Sequence, residues 1–105
     1  MNDDLERRFH RAMLKIYTKA KKECNYHATR FFQLLDEYRG LETARMLLRN
    51  PQIQEGLANL YELGRLDLTV EALVIDPDWK ELFEPEEIEI ARTRLLDLGY
   101  SSDNI

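Results

Sequence analysis

The chain has 105 residues, of which 44% are hydrophobic and 33% charged, and its formal net charge is −5. A chain of this length and composition fits one charge-rich globular domain over residues 1–105, with residues 101–105 frayed, and does not fit a disordered protein. We expect a cytoplasmic protein, because the sequence has no apolar stretch of membrane-spanning length, no signal-peptide pattern and only one cysteine.

Charge is unevenly distributed along the chain. Residues 1–30 contain eight Lys or Arg against four Asp or Glu, whereas residues 31–105 contain seven against sixteen. Two arrangements explain this asymmetry. Either a basic first helix binds nucleic acid or an acidic partner, or that helix lies on the acidic remainder of its own protein.

The first predicted element is an amphipathic helix over residues 3–22. Its apolar residues recur at spacings of three and four, from Leu5 through Phe9 and Met13 to Ala20. The opposite face is basic and contains Arg7, Arg8, Arg11, Lys15, Lys19 and Lys22.

Three more helices are predicted before residue 65. The second begins at Asn25 and has Gly40 as its C-cap. The third covers residues 41–49 and stops at Asn50-Pro51, and the fourth ends at Gly64. Their expected inward residues include Ala28, Phe31, Phe32, Leu35, Tyr38, Ile53, Leu57, Leu60 and Tyr61.

The most apolar run of the chain, residues 64–75, is the expected centre of the fold. Its β-branched residues would suit a buried strand, but nothing else in the sequence offers a strand partner for its amides. We therefore predict a short buried helix over residues 68–75, capped by Asp67 or Thr69.

Two helices that begin with proline complete the chain. Asp76-Pro77 starts a single turn, and Glu84-Pro85 starts a last helix that runs to about Leu98, with Gly99 as its C-cap. The first turn and solvent face of this last helix are expected to carry Glu84, Glu86, Glu87 and Glu89. The sequence thus predicts an all-α fold, a single compact domain of six or seven short helices.

No catalytic residue, cofactor or metal site is predicted. Glu6 with His10 and Glu23 with His27 have helical spacing, but the pattern lacks the further carboxylates of di-metal helical bundles. We expect His10 to lie at the surface, paired with Glu6. Gly-rich phosphate loops and serine-nucleophile motifs are absent from the sequence.

A polar cluster flanks the central apolar run. Arg65, Asp67 and Glu71 lie so close to a buried segment that they must be paired or reach the surface. With Tyr61 they could line a small cleft, the expected site if the protein is an enzyme of unknown substrate. Alternatively, they form a capping and ion-pair cluster that fixes how two helices meet.

Four segments resemble a family of short bacterial proteins of uncharacterised function. They are residues 6–14, 28–32, 40–45 and 64–74, and the last, Gly-Arg-Leu-Asp-Leu-Thr-Val-Glu-Ala-Leu-Val, is specific. The resemblance covers nearly the whole chain. It implies a bacterial, cytosolic, stand-alone small domain, and it implies no activity, cofactor or substrate.

We predict a non-enzymatic module that binds another protein, or itself, through a helix face. Tyrosine and tryptophan anchor many protein interfaces, and this chain contains Tyr17, Tyr26, Tyr38, Tyr61, Trp79 and Tyr100. The alternative is nucleic-acid binding, with the basic face of the first helix on phosphates. The sequence pI near 5.0 and the lack of a helix-turn-helix signature disfavour that alternative. No membrane partner is expected.

Overall fold

The computed structural model describes residues 3–50 and 55–100. Within these ranges the chain forms five α-helices and two 3-10 helices, with no strand. They are α1 (Asp3–Cys24), α2 (Thr29–Arg49), α3 (Glu55–Glu62), a 3-10 helix (Leu66–Leu68), α4 (Val70–Val74), a second 3-10 helix (Pro77–Leu82) and α5 (Pro85–Asp97). The prediction of an all-α compact domain is confirmed. The predictions for Ile53 and for residues 101–105 lie outside the described residues.

The first helix follows its predicted apolar stripe. Phe9 and Met13 are completely buried, and Ala20 is nearly so. The helix ends at Asn25, which has a φ of 53°, and the Tyr26 N–H donates to the Ala20 carbonyl at 3.1 Å. The prediction that Asn25 starts the second helix is therefore wrong. Asparagine tolerates this left-handed backbone, so it terminates α1 instead.

The predicted break between the second and third helices is present, and the two helices that meet at this kink are described together as α2. The bend is at Arg39, with φ 69° and ψ 174°, one residue before the expected glycine. Gly40 is needed elsewhere, because a Cβ at this position would lie 2.7 Å from the Cα of His10 on α1. Across the bend, the Thr43 hydroxyl donates to the Leu34 carbonyl at 3.0 Å. Gly40 is thus a packing residue and not the C-cap predicted from the sequence.

Three aromatic residues expected to face the core are instead at the surface. Phe32, Tyr38 and Tyr61 are 43%, 41% and 48% exposed. Each lies on a helix whose inward positions are filled by neighbours such as Leu35 and Leu60. A shift of one residue rotates a side chain by about 100° around the helix, out of the buried face.

The predicted glycine stops are confirmed at the ends of α3 and α5. Gly64 and Gly99 have φ values of 72° and 82°. At α3, the Arg65 N–H donates to the Leu60 carbonyl at 2.8 Å. At α5, the Tyr100 N–H donates to the Leu95 carbonyl at 2.9 Å. Both helices therefore end in the Schellman geometry that favours glycine.

The central apolar run contains the predicted short buried helix, but the structure limits it to Val70–Val74, and a separate 3-10 turn covers Leu66–Leu68. Thr69 is the N-cap of α4, since its hydroxyl accepts a hydrogen bond from the Ala72 N–H at 3.1 Å. Val74 is fully buried in the main core. In that core the Phe9 ring makes edge contacts with Trp79 and Phe83, with ring centroids 5.5 and 5.3 Å apart. The main core therefore joins α1 to the C-terminal half of the chain.

Candidate functional site

The basic face of α1 is turned to solvent. Arg7 and Arg8 are 68% and 60% exposed, and both approach Asp4 on the same helix, at 3.5 and 3.2 Å. Three other exposed cations of this face, Arg11, Lys15 and Lys22, form no ion pair with any described residue. These three cations therefore do not hold the first helix on the acidic part of its own chain.

Arg65 joins the end of α1 to the segment that follows α3. Its guanidinium binds both carboxylate oxygens of Asp67, each at 3.1 Å, and the Glu23 carboxylate at 2.9 Å. The hydrogen bond from Arg65 lowers the pKa of Asp67, and the charge of Lys19 adds a smaller effect in the same direction. Hydrogen bonds to Asp67 and Glu23 raise the pKa of Arg65 in turn. The predicted Arg65 and Asp67 pair is thus connected to the end of α1 through Glu23.

Glu71 is not part of this cluster. It is only 5% exposed, and its carboxylate lies 3.0 Å from Arg94 on α5. The helical spacing assumed between Asp67 and Glu71 does not exist, because Thr69 has extended backbone angles and α4 begins after it. The cleft expected from Tyr61, Arg65, Asp67 and Glu71 is therefore not formed.

Arg94 also closes the C-terminal end of α2. Its two terminal nitrogens donate to the Leu47 and Leu48 carbonyls at 3.0 and 2.9 Å. These carbonyls belong to the last turn of a helix, where partners within the helix run out and a cation is favoured. The pair formed by Arg94 and Glu71 is consequently a structural joint between α2, α4 and α5.

Glu87 was expected on the solvent face of α5 and is instead fully buried. Its carboxylate lies 3.0 Å from Arg49 and 3.6 Å from Arg45 on α2. The other carboxylate oxygen accepts a hydrogen bond from the Glu84 N–H at 2.8 Å. The sequence does contain a signal, since a glutamate three residues after an N-cap often bonds back to that cap. Arg49 and Arg45, however, lie 38 and 42 positions before Glu87 in the chain.

Tyr61 and Leu63, hereafter the apolar pair, are two exposed large apolar residues at the end of α3. They are 48% and 47% exposed, and Gly64 and Arg65 follow them directly in the chain. Tyr61 was predicted from the sequence as a site residue, and Leu63 was not. A continuous apolar run would have indicated Leu63, but Glu62 lies between the two residues.

His10 does not pair with Glu6 as expected. It is partly buried where α1 meets Gly40, and its Nδ1 atom has no hydrogen-bond partner. Desolvation, and secondly the charge of Arg39, lower the pKa of His10. In the part of the chain that the structure describes, no three His, Cys, Asp or Glu side chains are grouped as metal ligands. No described helix is long and apolar enough to cross a membrane.

No protein-family model, curated protein or solved structure matches the chain. The resemblance to short bacterial proteins stays a prediction.

Proposed function

We propose that the protein is a non-enzymatic helical module that binds an acidic partner protein. The observation that carries this proposal is the exposure of Tyr61 and Leu63, two large apolar side chains at the end of α3 that each remain about half exposed. Tyrosine is common among the residues that dominate binding energy.

The border of this apolar pair is held in a fixed geometry. Arg65 is bonded to Asp67 on its own segment and to Glu23 on α1, so the end of α3 and the end of α1 are presented together. A side chain already held in place loses less conformational entropy when a partner binds. The cluster therefore supports binding without forming the substrate cleft that an enzyme would need.

The charge of α1 supports an acidic partner. Arg7, Arg8, Arg11 and Lys15 on α1 are exposed. A partner with an apolar centre and acidic residues beside it would match both surfaces, and charges of this kind raise the association rate more than the final affinity.

Nucleic-acid binding through α1 is the second candidate, and the same exposed cations favour it. Arg7, Arg8 and Arg11 could contact phosphates, and such binding weakens steeply as the salt concentration rises. Each phosphate contact is independent of Tyr61 and Leu63. The two candidates can therefore be separated by substitution.

The test is affinity capture from native lysate, with and without nuclease, using the wild type and surface variants. We expect nuclease-resistant capture of an acidic protein, lost in Tyr61→Ser and Leu63→Ser and retained in Leu96→Ser. Leu96 is a matched control because it is a 60% exposed leucine on α5. With the purified partner, Lys15→Glu and Lys19→Glu should slow association.

Two outcomes would overturn the proposal. Capture that is equally strong in all the serine variants would show that the apolar pair is not the interface. Capture that disappears with nuclease, and also on neutralising Arg7, Arg8 and Arg11, would establish the nucleic-acid candidate instead.

A further inference from the structure

An apolar cavity lies under α1, close to the N-terminal end of α2. Its volume is about 290 Å³, and it is bounded by residues of α1, α2, α3 and α4. Aliphatic side chains form much of the wall, among them Ile16, Ala20, Leu34, Leu47, Leu57 and Val70. Protein interiors contain few voids larger than a water molecule, and an engineered apolar cavity of about 150 Å³ binds benzene. This cavity is therefore large enough for a small organic molecule.

Three of the polar groups in the wall are already bonded within the protein. The Tyr26 hydroxyl accepts a hydrogen bond from Asn59 at 3.1 Å, the Thr69 hydroxyl caps α4, and the Glu71 carboxylate binds Arg94. A polar ligand group placed against these residues and the aliphatic side chains would be left unpaired, which is costly. The part of a ligand that lies against them must therefore be apolar.

One side of the cavity is polar and positively charged. Ala28, at the N-cap of α2, has no side-chain oxygen for the first N–H groups, and the first turn contains no acidic residue. Arg30 is exposed at the same edge and forms no ion pair with any described residue. The Thr29 N–H donates to the His27 carbonyl at 2.8 Å. A guanidinium beside the N-terminal turn of a helix favours a carboxylate.

We propose that the cavity binds a small amphipathic monocarboxylate, with its apolar chain inside and its carboxylate at Arg30. The volume lies at the lower limit of sites for drug-sized ligands, so a short chain fits and a long one does not. This site is separate from the apolar pair at the end of α3, and neither proposal depends on the other.

The first experiment compares two probes of equal chain length, sodium octanoate and 1-octanol, by calorimetry and by backbone amide chemical shifts. We expect octanoate to bind with one-to-one stoichiometry, to raise Tm, and to shift amides at the start of α2. We expect 1-octanol to bind at least about fivefold more weakly, because it lacks the charged group. No binding of octanoate at millimolar concentration would overturn the site, and equal affinities would overturn the role of Arg30.

Three variants locate the ligand. Ala20→Leu adds volume inside the cavity and should abolish binding of both probes; Leu34→Phe serves the same purpose if the first variant does not fold. Arg30→Gln should weaken octanoate at least about fivefold and leave 1-octanol unchanged. Arg92→Gln, an exposed arginine on α5, is the control and should bind like the wild type. Wild-type binding by a folded Ala20→Leu or Leu34→Phe variant would exclude the cavity.

Discussion

The two ends of the molecule use charged residues in opposite ways. Where α2 ends against α4 and α5, Glu71 and Glu87 are buried and each is bonded to arginine. Where α1 ends beside α3, the pair of Arg65 and Asp67 and the lysines of α1 remain open to solvent. Buried ion pairs are costly to break, whereas exposed pairs contribute little to stability. The buried ion pairs at the end of α2 therefore maintain the fold. The exposed residues at the end of α1 can be substituted without unfolding the protein.

The largest effect is expected from Arg94→Ala. The substitution leaves Glu71 buried without its partner and removes the donors to the last turn of α2, so the free energy of unfolding should fall by about 3–5 kcal/mol. Denaturant unfolding followed by circular dichroism measures this change. The control is Arg92→Ala on the same helix, whose bond to Glu89 is exposed on both sides.

The comparison would fail if both arginine variants lost the same stability. A loss below about 1 kcal/mol for Arg94→Ala would mean that the buried pair is no stronger than a surface pair. A loss of similar size in Arg92→Ala would mean that burial is not what distinguishes the two ends.

The second prediction concerns how α1 is attached, because no buried ion pair among the described residues joins it to the body. At Gly40 the backbone of α2 touches His10 so closely that an added Cβ would overlap it. Gly40→Ala should therefore lower the free energy of unfolding by about 1–3 kcal/mol, as overpacking does. The measurement is the same denaturant titration.

Gly56→Ala is the matched control for this prediction. A Cβ at Gly56 would have no atom within 4 Å, and the residue lies inside α3. The alanine should raise the free energy of unfolding by about 0.5–1 kcal/mol, because it restricts the unfolded chain and favours the helix. If both glycine variants shift stability in the same direction, close packing at Gly40 does not hold α1 in place.

The third prediction tests the exposed end. Asp67→Ala removes the fork between Asp67 and Arg65, but Arg65 keeps Glu23 and water as partners. Since Asp67 is half exposed, Tm should fall by less than about 4 °C. The pKa of Asp67 is lowered in the folded protein. Its contribution is therefore complete above the ordinary carboxyl range and is lost as the pH falls through the lowered value. A large loss of Tm at neutral pH would contradict this prediction and show that the Arg65 and Asp67 pair stabilises the fold as the buried ion pairs do.

The parts of the fold that could be predicted from the sequence depend on local signals. The stripe of α1, the glycine stops at Gly64 and Gly99, and the cap at Thr69 are set by residues within a few positions of each other. Such signals act through helix periodicity and backbone conformation. They do not need the rest of the protein.

The parts that were missed depend on distant contacts. Glu71 and Arg94 are 23 positions apart, and Glu87 and Arg49 are 38 apart, so no local pattern distinguishes these glutamates from exposed ones. The same holds for Gly40, whose role is set by His10 on another helix. In the candidate interface the sequence indicated Arg65 and Asp67 but could not show that Glu71 faces away from them.

The smallest effect is expected from the pH dependence at His10, where α1 contacts the bend in α2. Its pKa is lowered from the ordinary 6.5, first by desolvation and then by Arg39, so the unfolded chain takes up a proton more readily than the folded one. Stability should consequently rise as the pH increases through the range just below 6.5, and become constant above it. The change in Tm between pH 5.5 and 7.5 measures this, and it should be smaller in His10→Gln and in Arg39→Gln. An unchanged difference in His10→Gln would show that another group titrates, whereas its disappearance would show that His10 causes the pH dependence at the contact where packing, and not charge, holds α1.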